Sequence, residues 1–171
     1  ACEALFRAGI DPRCSAALNA RVDALSWHLY FATAGPTAMA DALQAAGRAV
    51  TVDRNDALAW RGRGWLLFVG GKLAEAMADL ESSLELNPND AITLARLGMF
   101  EALSGDPVGG VQRCMQAIRL SPRDPARFHL LANLQWAQFA ARAYDDAIDT
   151  ARQSLREADF AGTRLCLVLS L

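Results

Sequence analysis

The chain has 171 residues, of which 53% are hydrophobic and 21% charged, with a formal net charge of −2. That length allows one ordinary domain or an array of small repeats, and the apolar content and low net charge exclude a disordered chain. A slightly acidic chain without a broad basic face is not expected to bind nucleic acid directly, and no apolar run approaches the roughly 20 residues that cross a membrane. The sequence opens at Ala1 with neither an initiating Met nor a signal-peptide pattern, so a piece of a larger, cytoplasmic protein is expected.

In chain order, Cys14 to Phe31 reads as one long helix, with Ala17, Leu18, Val22, Leu25 and Leu29 on a single stripe. Three similar segments then follow at intervals of 34 residues: Val52–Asp56, Leu86–Asp90 and Leu120–Asp124. Units started at Asp23, Ala57, Ala91 and Pro125 align in columns. The eighth column holds Tyr30, Gly64, Gly98 and Ala132, the twentieth Ala42, Ala76 and Gly110, and the twenty-seventh Ala49, Ser83 and Ala117. Small residues recurring at fixed spacing suit close helix contacts, where a Leu or Phe would overpack.

Each unit reads as two amphipathic helices. In the second helix of the Ala57 unit, Leu73, Met77, Leu80 and Leu84 share a face. Pro36, Pro107 and Pro125 stand where helices are expected to begin, and Asp56, Asp90, Asp106 and Asp124 are expected to cap them. In the last unit the columns slip by three, to Tyr144, Ala147, Ser154 and Leu155; a first helix about one turn longer would explain this. The apolar tail Gly162–Leu171 is expected to start a further unit or to cap the array.

The polar residues add little chemistry. Cys2, Cys14, Cys114 and Cys166 lack metal or redox spacing and read as free thiols, Cys114 on a buried face. His28 and His129 have no ligand partners at metal spacing. Asp79, Glu81 and Glu85, like Asp145, Asp146 and Asp149, read as solvated helix faces. No catalytic residue, metal site or cofactor is expected, and the chain is not expected to be an enzyme by itself.

The 34-residue register resembles the tetratricopeptide repeat. The resemblance is strongest over Ala57–Asp90, where Trp60, Gly64, Ala76, Leu84 and Pro88 match the family's characteristic positions, and it extends over about residues 23–160. Glu101, where an aromatic is usual, and Gly110, where Ala is usual, depart from the pattern. The resemblance implies an all-α fold, a right-handed α-solenoid of about four stacked antiparallel helix pairs. Residues 1–22 would form an N-terminal cap and residues 161–171 a further or capping helix. It also implies a groove lined by the second, fifth, ninth and twelfth positions of the first helices. By column these are Trp27 and Phe31; Leu58, Arg61, Trp65 and Phe68; Ile92, Ala95 and Met99, with Arg96 beside them; and His129, Asn133 and Trp136. Trp65 and Phe68 read equally as core, and Trp60 as core. The implied function is a protein-interaction scaffold that binds a peptide or partner domain through apolar anchors and arginines. Self-association as a homodimer is the alternative. The long opening helix, the lengthened first helix of the last unit and the Arg142–Ala147 segment that follows it are together similar to the C-terminal repeat regions of bacterial signalling proteins, namely class III adenylate or guanylate cyclases and winged-helix transcriptional regulators.

Overall fold

The computed structural model describes residues 37–171. The expected helix Cys14–Phe31 and the site candidates Trp27 and Phe31 lie outside the described residues. The chain divides into two compact units, Ala1–Pro88 and Asn89–Leu171. Every regular element among the described residues is a helix.

The first unit contains α1 (Ala38–Val52), α2 (Ala57–Val69) and α3 (Leu73–Leu86). Asp56 caps α2 as expected, its carboxylate accepting the Leu58 N–H at 2.9 Å. α1 buries Ala42, Ala45, Ala46, Ala49 and Val50. Its alanine face packs on Leu66 and Ala59 of α2, since small side chains let two backbones approach closely. On the other side of α2, Gly64 faces α3. A Cβ placed on it would stand 3.0 Å from the Ala76 carbonyl and 3.1 Å from Leu80 Cδ2. Leu66 and Leu80 are fully buried, each contributing about 2–3 kcal/mol of apolar transfer.

The second unit contains α4 (Ala91–Ser104), α5 (Pro107–Leu120), α6 (Arg127–Ala140), α7 (Tyr144–Glu157) and α8 (Ala161–Ser170). Asp90 caps α4 through the Ile92 and Thr93 N–H groups, and Asp106 caps α5 through the Gly109 N–H behind a first-turn Pro107. α4 packs on α5 and α6 on α7; α6 also contacts α4 and α5, and α8 contacts α6 and α7. Ala102, Cys114, Leu134 and Ala137 form a core cluster where α6 meets the first pair. Gly98 and Gly110 bring α4 and α5 together more tightly than Gly64 brings α2 to α3. A Cβ on Gly98 would lie 2.6 Å from the Gly110 carbonyl oxygen, and one on Gly110 would overlap the Gly98 carbonyl oxygen. Gly110, a departure from the family pattern, is thus matched to its neighbour.

The common frame of the pairs is set by side-chain clasps. Ser83 Oγ donates to the Ala57 carbonyl at 2.8 Å, and Ser154 Oγ to the Phe128 carbonyl at 3.1 Å; each bond spans 26 residues. Ala117 stands in the same relation to Ala91. Position 1 of the three pairs is therefore Ala57, Ala91 and Phe128. The residues with positive φ, Gly71, Gly105 and Arg142, then all fall at position 15, in the turn inside each pair. α3, α5 and α7 all begin at position 17, with Leu73, Pro107 and Tyr144.

This frame corrects two expectations. α6 is not a turn longer than its counterpart, since α4 and α6 have 14 residues each. The three extra residues lie between Leu120 and Phe128, ahead of the pair. Pro125 does not begin a helix either; it sits in the turn before α6. There Asp124 accepts the Ala126 N–H at 2.8 Å, and no side chain caps α6.

Candidate functional site

Position 9 of each pair holds Trp65, Met99 and Trp136, and position 12 holds Phe68, Ala102 and Phe139. In the first unit, Trp65 and Phe68 are half-buried, with ring centroids 5.5 Å apart and tilted by 36°. In the second unit, Trp136 and Phe139 are half-buried, with centroids 5.9 Å apart and nearly perpendicular. Phe139 also stands 5.7 Å from Tyr144. Both geometries suit the quadrupoles of paired rings. The same two positions thus carry a Trp–Phe pair in both units. Arg61 is half-buried and Leu58 exposed on the same helix as the first pair.

Within the second unit the predicted residues divide. Arg96 and His129 lie close enough that the guanidinium opposes protonation of the imidazole. The His129 pKa is lowered to about 4, first by burial, then by Arg96, against an opposing pull from Asp124. Its ring meets Phe128 edge-on at 4.2 Å and lies tilted against Phe160 at 5.1 Å, so His129 is a neutral member of an aromatic cluster at ordinary pH. Met99 is 4% exposed and Asn133 7% exposed. Asn133 turns its amide back to donate to the His129 carbonyl at 2.7 Å. Ala95 and Ala132 are also buried, so α4 presents half-buried Ile92 and Arg96. On α6 the corrected frame replaces Asn133 with Phe139. The three-residue slip was visible in the second half of the unit; carrying it back into the first helix would have picked out Phe139.

Two charged pairs tie helices together, one of them through Asp79, which was expected on a solvated face. Arg63 Nε and one Nη atom donate to the two oxygens of Asp79, both at 2.6 Å, while the guanidinium lies 4.8 Å from the Trp60 ring centroid. Asp79 is buried, and its hydrogen bond is the main cause of the raised Arg63 pKa. Trp60 in turn donates its indole N–H to the Arg54 carbonyl at 2.9 Å while packing on the Ala49, Val50 and Ala59 cluster. In the next pair, Arg113 Nε donates to Glu101 Oε2 at 2.7 Å, so Glu101 replaces an aromatic contact with an ionic one.

The two thiols among the described residues, Cys114 and Cys166, are not set up for nucleophilic work. Burial pushes Cys114 up to about 12 and Cys166 up to about 11, the opposite of what a reactive thiolate requires. Cys114 Sγ donates to the Ala95 carbonyl at 3.2 Å. Among the described residues no group of three or more His, Cys, Asp or Glu side chains could hold a metal ion, and no helix is long and apolar enough to cross a membrane.

Residues 57–90 match the tetratricopeptide repeat family. Among solved structures, the chain is similar to PilF of Pseudomonas aeruginosa, with a TM-score of 0.65 and 17% identity over 90% of this chain and 67% of that one. It is also similar to MamA, with a TM-score of 0.58 and 17% identity over 92% of this chain and 84% of that one. No curated protein matches it. At this identity the likeness shows the fold: an all-α solenoid built from stacked antiparallel helix pairs.

Proposed function

We propose that this chain is a non-catalytic protein-interaction module that holds a peptide or partner domain against the exposed side of its first helices. The repeated Trp–Phe pair at positions 9 and 12 carries this reading, because paired aromatic rings give large contact area at low entropic cost. Arg61 and Arg96 supply carboxylate recognition beside the apolar anchors. Trp27 and Phe31 belong to the same set by column. The array takes in residues 23–160, with residues 1–22 and 161–171 at its ends. The module serves as the regulatory part of a bacterial, cytoplasmic signalling protein, a cyclase or a winged-helix regulator. α6, at ordinary length, lends that host assignment no support, so it rests on the sequence pattern of residues 14–31 and of Arg142–Ala147.

The test is a peptide selection from a random display library against the whole chain. Selected peptides should bind at least about tenfold more weakly to Trp136→Ala and to Phe139→Ala. Equal binding to both variants would remove the groove from the account.

A second reading, self-association, is favoured by α8. This helix buries Gly162, Thr163, Cys166 and Ser170 and leaves Leu165 56%, Val168 69% and Leu169 53% exposed. Sedimentation equilibrium over a range of concentrations checks it, and a concentration-independent monomer would sink it.

A further inference from the structure

α8 is amphipathic with its faces exchanged. It buries Gly162, Thr163, Cys166 and Ser170, all small or polar, and turns Leu165, Val168 and Leu169 outwards. Its seat on α6 and α7 is correspondingly polar. Gln135 donates its side-chain N–H to the Thr163 carbonyl at 3.1 Å, and Thr163 and Ser154 share a hydroxyl hydrogen bond at 3.2 Å. α6, by contrast, is seated on the preceding pair through Ala102, Cys114, Leu134 and Ala137. The frame of the pairs shows what covers such a face. Position 1 falls on Gly162, 34 residues after Phe128, so Leu165, Val168 and Leu169 hold positions 4, 7 and 8. In all three pairs those positions are buried or half-buried. Positions 7 and 8 meet the second helix of the same pair: Arg63 holds Asp79, and Gly98 lies against Gly110. The exposed face of α8 is therefore the one on which a first helix receives an antiparallel second helix.

We infer, building on the self-association reading, that the helix received is α8 of a second copy, the two packed antiparallel so that each serves as the other's second helix. The outward stripe tapers. It begins at the exposed Ala161 and ends at Val168, Leu169 and Leu171. Antiparallel packing lays the narrow end of one helix against the wide end of the other, as close packing requires, and opposes the two helix dipoles. A parallel pair would crowd the two wide ends and gape at the narrow ones. The contact buries no unpaired charge. Arg164 is the one charged residue of α8, and both oxygens of Asp159 in the same chain already hold it. So few apolar side chains per copy make a small interface, and the dimer is weak, with a dissociation constant on the order of 10 µM.

The experiment is sedimentation of the whole chain at concentrations from about 1 to about 500 µM, where the parent should pass from monomer to dimer. Leu169→Lys changes an exposed side chain, so it should keep the parent's far-UV circular dichroism while weakening the dimer at least about tenfold. Adding Ala161→Glu to Leu169→Lys should recover about that factor, because the antiparallel pair sets each Glu beside the other copy's Lys. Within one helix the two positions lie about 12 Å apart along the axis and do not pair. Ala161→Lys in place of the Glu should recover nothing. A parent that stays monomeric throughout overturns this pairing and self-association together. A parent dimer indifferent to Leu169→Lys, or one weakened by it and not restored by the Glu, leaves self-association standing and overturns the α8–α8 pairing.

Discussion

Substituting Gly110 by Ala tests the close approach of α4 and α5. Inside a helix, Ala is favoured over Gly by about 0.8–1 kcal/mol. At Gly110 the new methyl would overlap the Gly98 carbonyl oxygen and stand 2.7 Å from the Ala102 nitrogen. Both obstacles are backbone, which cannot swing aside as a side-chain tip can. Overpacking of this kind costs about 1–3 kcal/mol. With the cost at its upper end, the net effect is a loss of about 2 kcal/mol. Gly98→Ala should cost somewhat less, because one of its obstacles is the Cys114 sulfur at 2.9 Å. Gly64→Ala, whose nearest atoms start at 3.0 Å, should fall near neutrality. Gly47 has nothing within 4 Å, so Gly47→Ala should stabilise by about 0.5–1 kcal/mol. The assay is urea unfolding followed by far-UV circular dichroism, with amide exchange locating each effect in its own unit. A Gly110→Ala variant as stable as the parent would refute the contact argument, and a Gly47→Ala variant that loses stability would refute the propensity side of it.

Three further outcomes follow from the same structure. Arg142 holds φ at 60° where the other pairs use glycine, so Arg142→Gly should stabilise by up to about 1 kcal/mol, measured by urea midpoint. Arg63→Ala leaves the Asp79 carboxylate buried without its bidentate partner and should cost about 3 kcal/mol; thermal unfolding reads this, and a loss near zero would contradict a structural role for the pair. His129 has a folded pKa of about 4, below the unfolded value of about 6.5, so the unfolded chain binds the extra proton between those values. Stability should therefore fall as pH drops from about 6.5 to about 4, by at most about 3 kcal/mol. His129→Gln should flatten that slope, and an unchanged slope would show that the imidazole is not the titrating group.

Much of the fold was legible because it depends on local rules. The caps Asp56, Asp90 and Asp106 sit at the residue before a helical pattern, and the small residues Ala76, Gly98 and Gly110 recur at a fixed period. The Arg63–Asp79 and Arg113–Glu101 pairs were not legible. Their partners are 16 and 12 residues apart, and in sequence each charge looks like one more solvated side chain. Ser83 and Ser154 were read as small, but their hydroxyls do the clasping, a bond to a carbonyl that no spacing rule reveals. The site was half legible. Trp65, Phe68 and Trp136 follow from the column, whereas Asn133 was chosen and Phe139 missed because the extra residues were assigned to the helix. Met99 has the right column, yet lies buried.

The connection between Leu120 and Phe128 bears on how such a chain can change length. A helix turns about 100° per residue, so three residues added within α6 would rotate every later side chain of that helix away from its neighbour. Three residues added before Phe128 leave each contact of the pair in phase. Insertions are thus absorbed between hairpins, and each hairpin acts as a self-phased cassette. Loop grafts, tags or affinity handles placed between Leu120 and Phe128 should leave the α6–α7 pair intact, while the same insertion between Leu130 and Ala137 should destroy it.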